Sequence, residues 1–367
     1  METVKIIEVT SHLERMAPTN LQESYDNSGL ITGNPEWEIT GVLVTLDCIE
    51  AVVDEAIKKK CNLIVAHHPI VFKGLKKLTG ANYVERTIIK AIKNDIAIYA
   101  IHTNLDNVLH GVNGVIANRL GLADQEILSP KPETLLKLVT FVPQTSVEAV
   151  ASALHQAGAG HIGNYTNCSF QSLGTGTFKP SKNAQPYTGS PEELERTEEI
   201  RLEVILQSHQ KRAVVSALMA SHPYEEVAYF LNKLENTDAQ VGAGIIGSLP
   251  EPLEPMAFLQ RLKSNMNTEC IRYTALQSRK ISRVAVCGGA GSFLLGAALA
   301  AKADAFVSSD FKYHEFFDAE GKILIADVGH YESEQFTKEL LKEDLELKFP
   351  NFATSLSNLN TNPISYL

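Results

Sequence analysis

From the start of the chain to about residue 128, short apolar runs alternate with stretches of helical spacing. Residues 41–46 (GVLVTL), 62–66 (NLIVA) and 96–101 (IAIYAI) read as strands, while 50–60 and 82–94 read as helices. Apolar strands separated by helices of about ten to fifteen residues predict βαβ units around a largely parallel sheet. The texture changes at Ser129-Pro130-Lys131-Pro132, which reads as a linker. Beyond it come a strand (135–142), a helix (146–158), a strand (164–170) and a loop rich in Gly, Ser and Pro (174–191). A strand (200–206), a helix (210–221) and a strand (226–231) follow. Two βαβ units in succession predict a ferredoxin-like α+β module.

After Asn236-Thr237-Asp238 the α/β pattern returns. It gives a helix (255–265), a strand (281–287), a glycine turn (288–291), a helix (293–302), strands at 305–308 and 322–327, and one closing helix (333–349). The last residues read as a loose cap. The chain is thus expected to be an α/β protein in three parts: 1–130, an insert at 131–236, and 237–367, with the two flanks packed as one discontinuous core. The flanks share a plan. In each, one apolar strand ends in polar chemistry (His67-His68; Ser309-Asp310) and a second ends in histidine (His102; His330). Open α/β sheets bind ligands beyond the carboxyl ends of their strands, so all four clusters are expected along one edge.

Composition narrows the classes. At 367 residues the chain is long enough for two or three domains. The 33 Lys and Arg against 43 Asp and Glu give a formal net charge of −10, which argues against a nucleic-acid partner. The five cysteines form no CxxC pair, so neither a thiolate zinc site nor a disulfide framework is indicated. The charged N-terminus is unlike a signal peptide, and the longest apolar run (293–301) falls far short of the ~20 residues that span a bilayer. A cytoplasmic protein without a membrane partner is expected.

Metal chemistry is the strongest local signal. His67-His68 follows a buried strand, and Pro69 stops the strand there. His102 and Asp106 stand four apart, as do His330 and Glu334, a spacing that puts both side chains on one face of a helical turn. His67, His68, His330, Asp106 and Glu334 then make three imidazoles and two carboxylates, with His102 expected behind them. Five donors exceed the four of one tetrahedral ion. Two ions about 3.5–4 Å apart are expected, bridged by Glu334 arriving from the opposite flank. This donor set suits Zn²⁺, Mn²⁺ or Fe²⁺, and zinc is the first expectation. Asp310 and His314 are expected to handle protons. Asp26-Asn27-Ser28-Gly29 reads as a turn, and His161 and His222-Pro223-Tyr224-Glu225-Glu226 as structural.

The segments AHHPIVFKGLKKL (66–78), AIHTNLDNVLHGVN (100–113), SSDFKYHEFF (308–317) and IADVGHYESE (325–334) resemble the Nif-three-like family, the YbgI/YqfO group labelled GTP cyclohydrolase I type 2 homologs. DNSGL (26–30) and VCGGAGS (286–292) match it as well. The resemblance implies a dinuclear metal centre on His67, His68, Asp106, His330 and Glu334. It also implies a toroidal homohexamer and, at 131–236, the PII/CutA-like domain of the longer members. A metal-dependent hydrolase acting on a small molecule is the first functional expectation, and the family label points to a nucleotide, GTP. A non-enzymatic metal-binding ring whose insert senses a ligand is the second.

Overall fold

The computed structural model describes residues 3–367. The chain divides into two compact units: one joins the segment up to Pro130 with Ala239–Leu367, and the other is Lys131–Asp238.

The larger unit holds two sheets. The first contains β1 (Gly29–Thr32), β2 (Val42–Thr45), β3 (Leu63–Ala66), β4 (Ala97–Ala100) and β15 (Thr354–Leu356), in the order β1-β4-β3-β2-β15. The second contains β5 (Ala123–Pro130), β10 (Gly242–Leu253), β11 (Arg272–Tyr273), β12 (Ile281–Ala290), β13 (Ala305–Ser309) and β14 (Leu324–Asp327), in the order β11-β14-β13-β12-β10-β5. Each has a parallel centre, β2-β3-β4 in one and β12-β13-β14 in the other.

Alternating side chains on the strands explain why these runs are apolar throughout. Val42, Val44, Leu63 and Val65 enter one core, whereas Leu43, Ile64 and Ala66 enter another with helices α2 (Glu50–Lys59) and α3 (Tyr83–Lys93). On the second sheet Val284 and Val286 share the first core, while Ala285, Phe306 and Ile325 pack with α9 (Leu295–Ala300). That first core also receives α1 (Ile6–Met16), α5 (Val112–Leu120), α8 (Pro255–Asn265) and α11 (Thr337–Lys348). Strands covered on both faces need no polar alternation.

The second unit runs β6 (Leu135–Pro143), α6 (Val147–Gln156), β7 (Phe170–Phe178), β8 (Glu195–Gln207), α7 (Lys211–Ser221) and β9 (Tyr229–Lys233). Its sheet is antiparallel, ordered β7-β8-β6-β9. Leu138, Val142, Leu202 and Val204 pack with Val150, Leu154, Val214 and Leu218 of the two helices in a core of its own.

Several expectations are corrected. The loop expected at 174–191 begins as strand β7, which the sequence hides because FQSLGTGTF is mostly exposed and glycine-rich. Residues 288–291 are not a turn, since β12 runs on through Ala290. The closing helix is broken into α10 (His330–Glu334) and α11. The first two residues of the linker expected at 129–132 are the end of β5, paired to β10, and the tail contributes β15 beside β2. No helix among the described residues is long and apolar enough to cross a membrane.

Candidate metal centre

The carboxyl ends of both parallel centres open onto one cavity of about 460 Å³. His68 follows β3, His102 follows β4, Asp106 ends the short helix α4 (Thr103–Asp106), and α10 carries His330 and Glu334 in from the second sheet. Residue 334 therefore meets residues 67 and 68 across the core. Glu334 Oε2 lies 2.9 Å from His68 Nε2 and 3.2 Å from His330 Nε2, while Oε1 lies 3.9 Å from His67 Nε2. His67 Nε2 is 3.7 Å from Asp106 Oδ1. Among the described residues, ligand atoms converge in three overlapping groups that could hold a metal: His68, His330 and Glu334; His67, Asp106 and Glu334; and His67, His68 and His102.

Every one of these imidazoles is held by its Nδ1. A carbonyl or carboxylate can only accept, so Nδ1–H donates: from His67 to the Ile101 carbonyl (2.8 Å), from His68 to Asp47 (2.8 Å), from His102 to Asp26 (2.8 Å) and from His330 to Asp310 (2.7 Å). This leaves each Nε2 free to ligate, the arrangement usual for metal-binding histidines, whose other ring N–H is held by an acceptor. Asp310 achieves its reach from a left-handed backbone (φ +57°), which Asp tolerates better than most residues. Asp26 also accepts the Thr103 N–H (3.0 Å) and hydroxyl (2.5 Å), fixing the start of α4.

The floor is glycine for a steric reason. A Cβ on Gly289 (φ +61°) would stand 2.4 Å from Glu334 Oε1. Asn113 accepts the Gly288 N–H (2.8 Å) and donates to the Asp106 carbonyl (2.9 Å), stitching one half of the site to the other.

Two buried atoms of the site, His67 Nε2 and Asp106 Oδ1, have no hydrogen-bond partner among the described residues. An unpartnered buried polar group costs about 1–3 kcal/mol. Packing gives no reason to keep two side by side, whereas a cation between them would satisfy both. The electrostatics agree. Burial would lower the His68 pKa, but the Glu334 and Asp47 carboxylates outweigh it and push it up to about 10. His330 is likewise opposed by burial yet raised by Glu334 and Asp310 to about 11. Burial, aided by the charge of Glu334, pushes Asp106 up to about 7. For Glu334 itself burial acts upward, but His330 and His68 hold it well below the usual carboxylate range. The pocket concentrates negative charge that positive partners must balance.

The site-residue expectations divide under this geometry. His67, His68, Asp106, His330 and Glu334 converge. His102 stands among the donors rather than behind them. Asp310 touches His330 and reaches the cavity only through it. His314 is exposed, packs against Tyr313 and Phe317, and does not line the cavity. Asp26 does more than turn the chain, and Asp47 was missed. Its signal was its place just after strand β2, where the other clusters also fall relative to their strands.

Fold and site together define a mixed α/β protein whose two sheets bring a histidine–carboxylate cluster able to hold a metal to one cavity. The chain belongs to the Duf34/NIF3 (NGG1p interacting factor 3) family, which it matches over residues 4–363. It is 42% identical over 361 residues to a GTP cyclohydrolase 1 type 2 homolog of Halalkalibacterium halodurans, covering 96% of each chain. Its identity to the protein of that name in Bacillus subtilis is 37% over 364 residues, again covering 96% of each. A crystal structure of a Bacillus cereus protein related to NIF3 superposes over 100% of both chains, with a TM-score of 0.86 at 38% identity.

Proposed function

We propose that the core holds two divalent cations, one on His68, His330 and Glu334 and the other on His67, Asp106 and Glu334, with His102 beside the second. The observation that carries this is the division of Glu334: one oxygen faces His68 and His330, the other faces His67. Imidazole and carboxylate donors without thiolate fit zinc first, with manganese or iron as alternatives. A bound pair of such cations acidifies water and offsets charge developing on a substrate oxygen. Asp47, Asp26 and Asp310 keep the imidazoles in register by holding each Nδ1–H. Tyr25, Phe72 and Phe293 line the mouth and present aromatic surface to a flat substrate.

On this basis the protein is a metal-dependent hydrolase of a small molecule. The name its relatives carry makes GTP the first substrate to test. Metal-loaded protein is assayed against GTP and a panel of phosphoesters. Turnover that disappears on chelation and in Asp106→Ala supports the reading, and no turnover at full metal occupancy contradicts it.

The insert, running βαββαβ in the spatial order β7-β8-β6-β9, is proposed to be a ferredoxin-like domain of PII/CutA type. Its separate core favours a second reading, in which a non-catalytic metal protein responds to something bound by the insert. Exposed Tyr313 and Phe317 support assembly of several copies, for which a hexameric ring is proposed.

A further inference from the structure

The second unit contains a cavity of about 640 Å³, bounded entirely by its own residues. That volume lies in the range of small-molecule sites, roughly 300–1,000 Å³. One wall is the β7–β8 hairpin, and another is the segment at 222–226 that carries HPYEE. Residues of the segment at 179–187 line the cavity as well. The walls are built rather than incidental. His222, buried, donates from Nε2 to the Phe141 carbonyl (2.9 Å) and accepts the Tyr224 N–H on Nδ1 (3.1 Å). Tyr224 so placed donates its hydroxyl to Glu199 Oε1 (2.8 Å). Glu225 accepts the Gln185 N–H (2.8 Å), which ties the 179–187 segment down and sets the Tyr187 ring 5.8 Å from that of Tyr224.

Glu199 is the unusual member. It is only 7% exposed, lines the cavity, and has no cationic partner within ion-pair distance among the described residues. Arg201 instead pairs with Glu203 (2.8 Å). A buried carboxylate without a cation is costly unless hydrogen-bond donors reach it. Gly176 faces it: a Cβ there would lie 2.0 Å from Glu199 Oε2, so this strand keeps the carboxylate's second oxygen clear of side chains.

We infer that this cavity is a ligand site of the insert, taking a planar nitrogen heterocycle of purine-nucleoside size. The ligand's N–H edge donates to Glu199, and its ring lies against Tyr187, Tyr224 and Phe141. Lys179, at the same cavity, faces an anionic substituent. Aromatic walls supply the affinity and the carboxylate supplies the selection for N–H donors over hydrogen-bond acceptors. The site shares no residue with the metal centre, and the inference does not rest on the reading given to that centre.

The test is calorimetric titration of the intact, metal-loaded chain with guanosine, adenosine, GMP and AMP. At least one probe is expected to bind once per chain. Glu199→Gln and Tyr224→Phe are each expected to weaken it about tenfold or more, as loss of a charge-assisted bond should. Gly176→Ala, which drives a methyl into the carboxylate, should do the same. Glu334→Ala, in the other unit, should leave this binding unchanged. Unaltered thermal unfolding of Tyr224→Phe keeps a loss of binding from being a loss of fold. Absence of binding by all four probes would overturn the inference. So would binding indifferent to all three insert variants, or binding abolished by Glu334→Ala.

Discussion

The two halves of the core are built alike but do different work. Each has three parallel strands in the same spatial order, β4-β3-β2 and β14-β13-β12, and each delivers polar residues at the strands' carboxyl ends. The first half places its imidazoles directly at strand ends, where the sheet fixes them. His67 is fully buried, with its Nδ1 tied to the neighbouring Ile101 backbone. The second half extends one short helix, α10, beyond the end of β14, so that His330 and Glu334 face the first half from a single turn. A rigid socket thus meets a reaching arm. The shared carboxylate belongs on the arm, because only a side chain arriving from outside the sheet can stand between two sets of imidazoles.

This contrast can be broken by substitution. The largest effect is expected from Glu334→Ala, which removes a donor from both groups and should abolish binding of both ions. His330→Ala touches one group and should remove about one ion per chain, as read by elemental analysis. Equal losses in the two variants would mean that Glu334 does not bridge. Next come the carboxylates that hold the imidazoles. Changes behind a metal ligand typically cost about 10–100-fold in affinity. Asp47→Asn is expected toward the upper end and Asp310→Asn toward the lower, because Asp310 is the more exposed and water can replace it. Competition titration with a chromophoric chelator separates them, and a larger loss for Asp310→Asn would reverse the assignment of socket and arm. The smallest effect is expected from His314→Ala. Its exposed ring touches no group of the site, so metal content and affinity should not change; a measurable loss would bring His314 back toward the centre.

The sequence was most readable where one local rule decided the outcome. NLIVA before His67-His68-Pro69 could only be a buried strand stopped at its end, and the spacing of four in His330 and Glu334 marks a shared face wherever a helical turn forms. What stayed hidden depended on distant partners. β10 (GAGIIGSLPEPL) is a strand because it pairs with β5 and β12, although its Gly and Pro content resembles loop. β7 is exposed on both sides for most of its length, so no alternation reveals it. Asp47 and Asp26 look like ordinary turn residues until the fold sets them against His68 and His102. Gly288 and Gly289 suggested a turn because glycine usually means one. Here Gly289 makes room for a carboxylate approaching from another element.

The proposed dinuclear centre depends on one carboxylate, Glu334, shared between two cation positions. X-ray absorption at the metal edge, with anomalous diffraction from crystals of the metal-loaded protein, reads this directly. The expected result is two peaks about 3.5–4 Å apart on either side of Glu334. One peak is expected against His68 and His330, the other against His67 and Asp106. A single peak, or two that leave Glu334 outside both coordination shells, would contradict it.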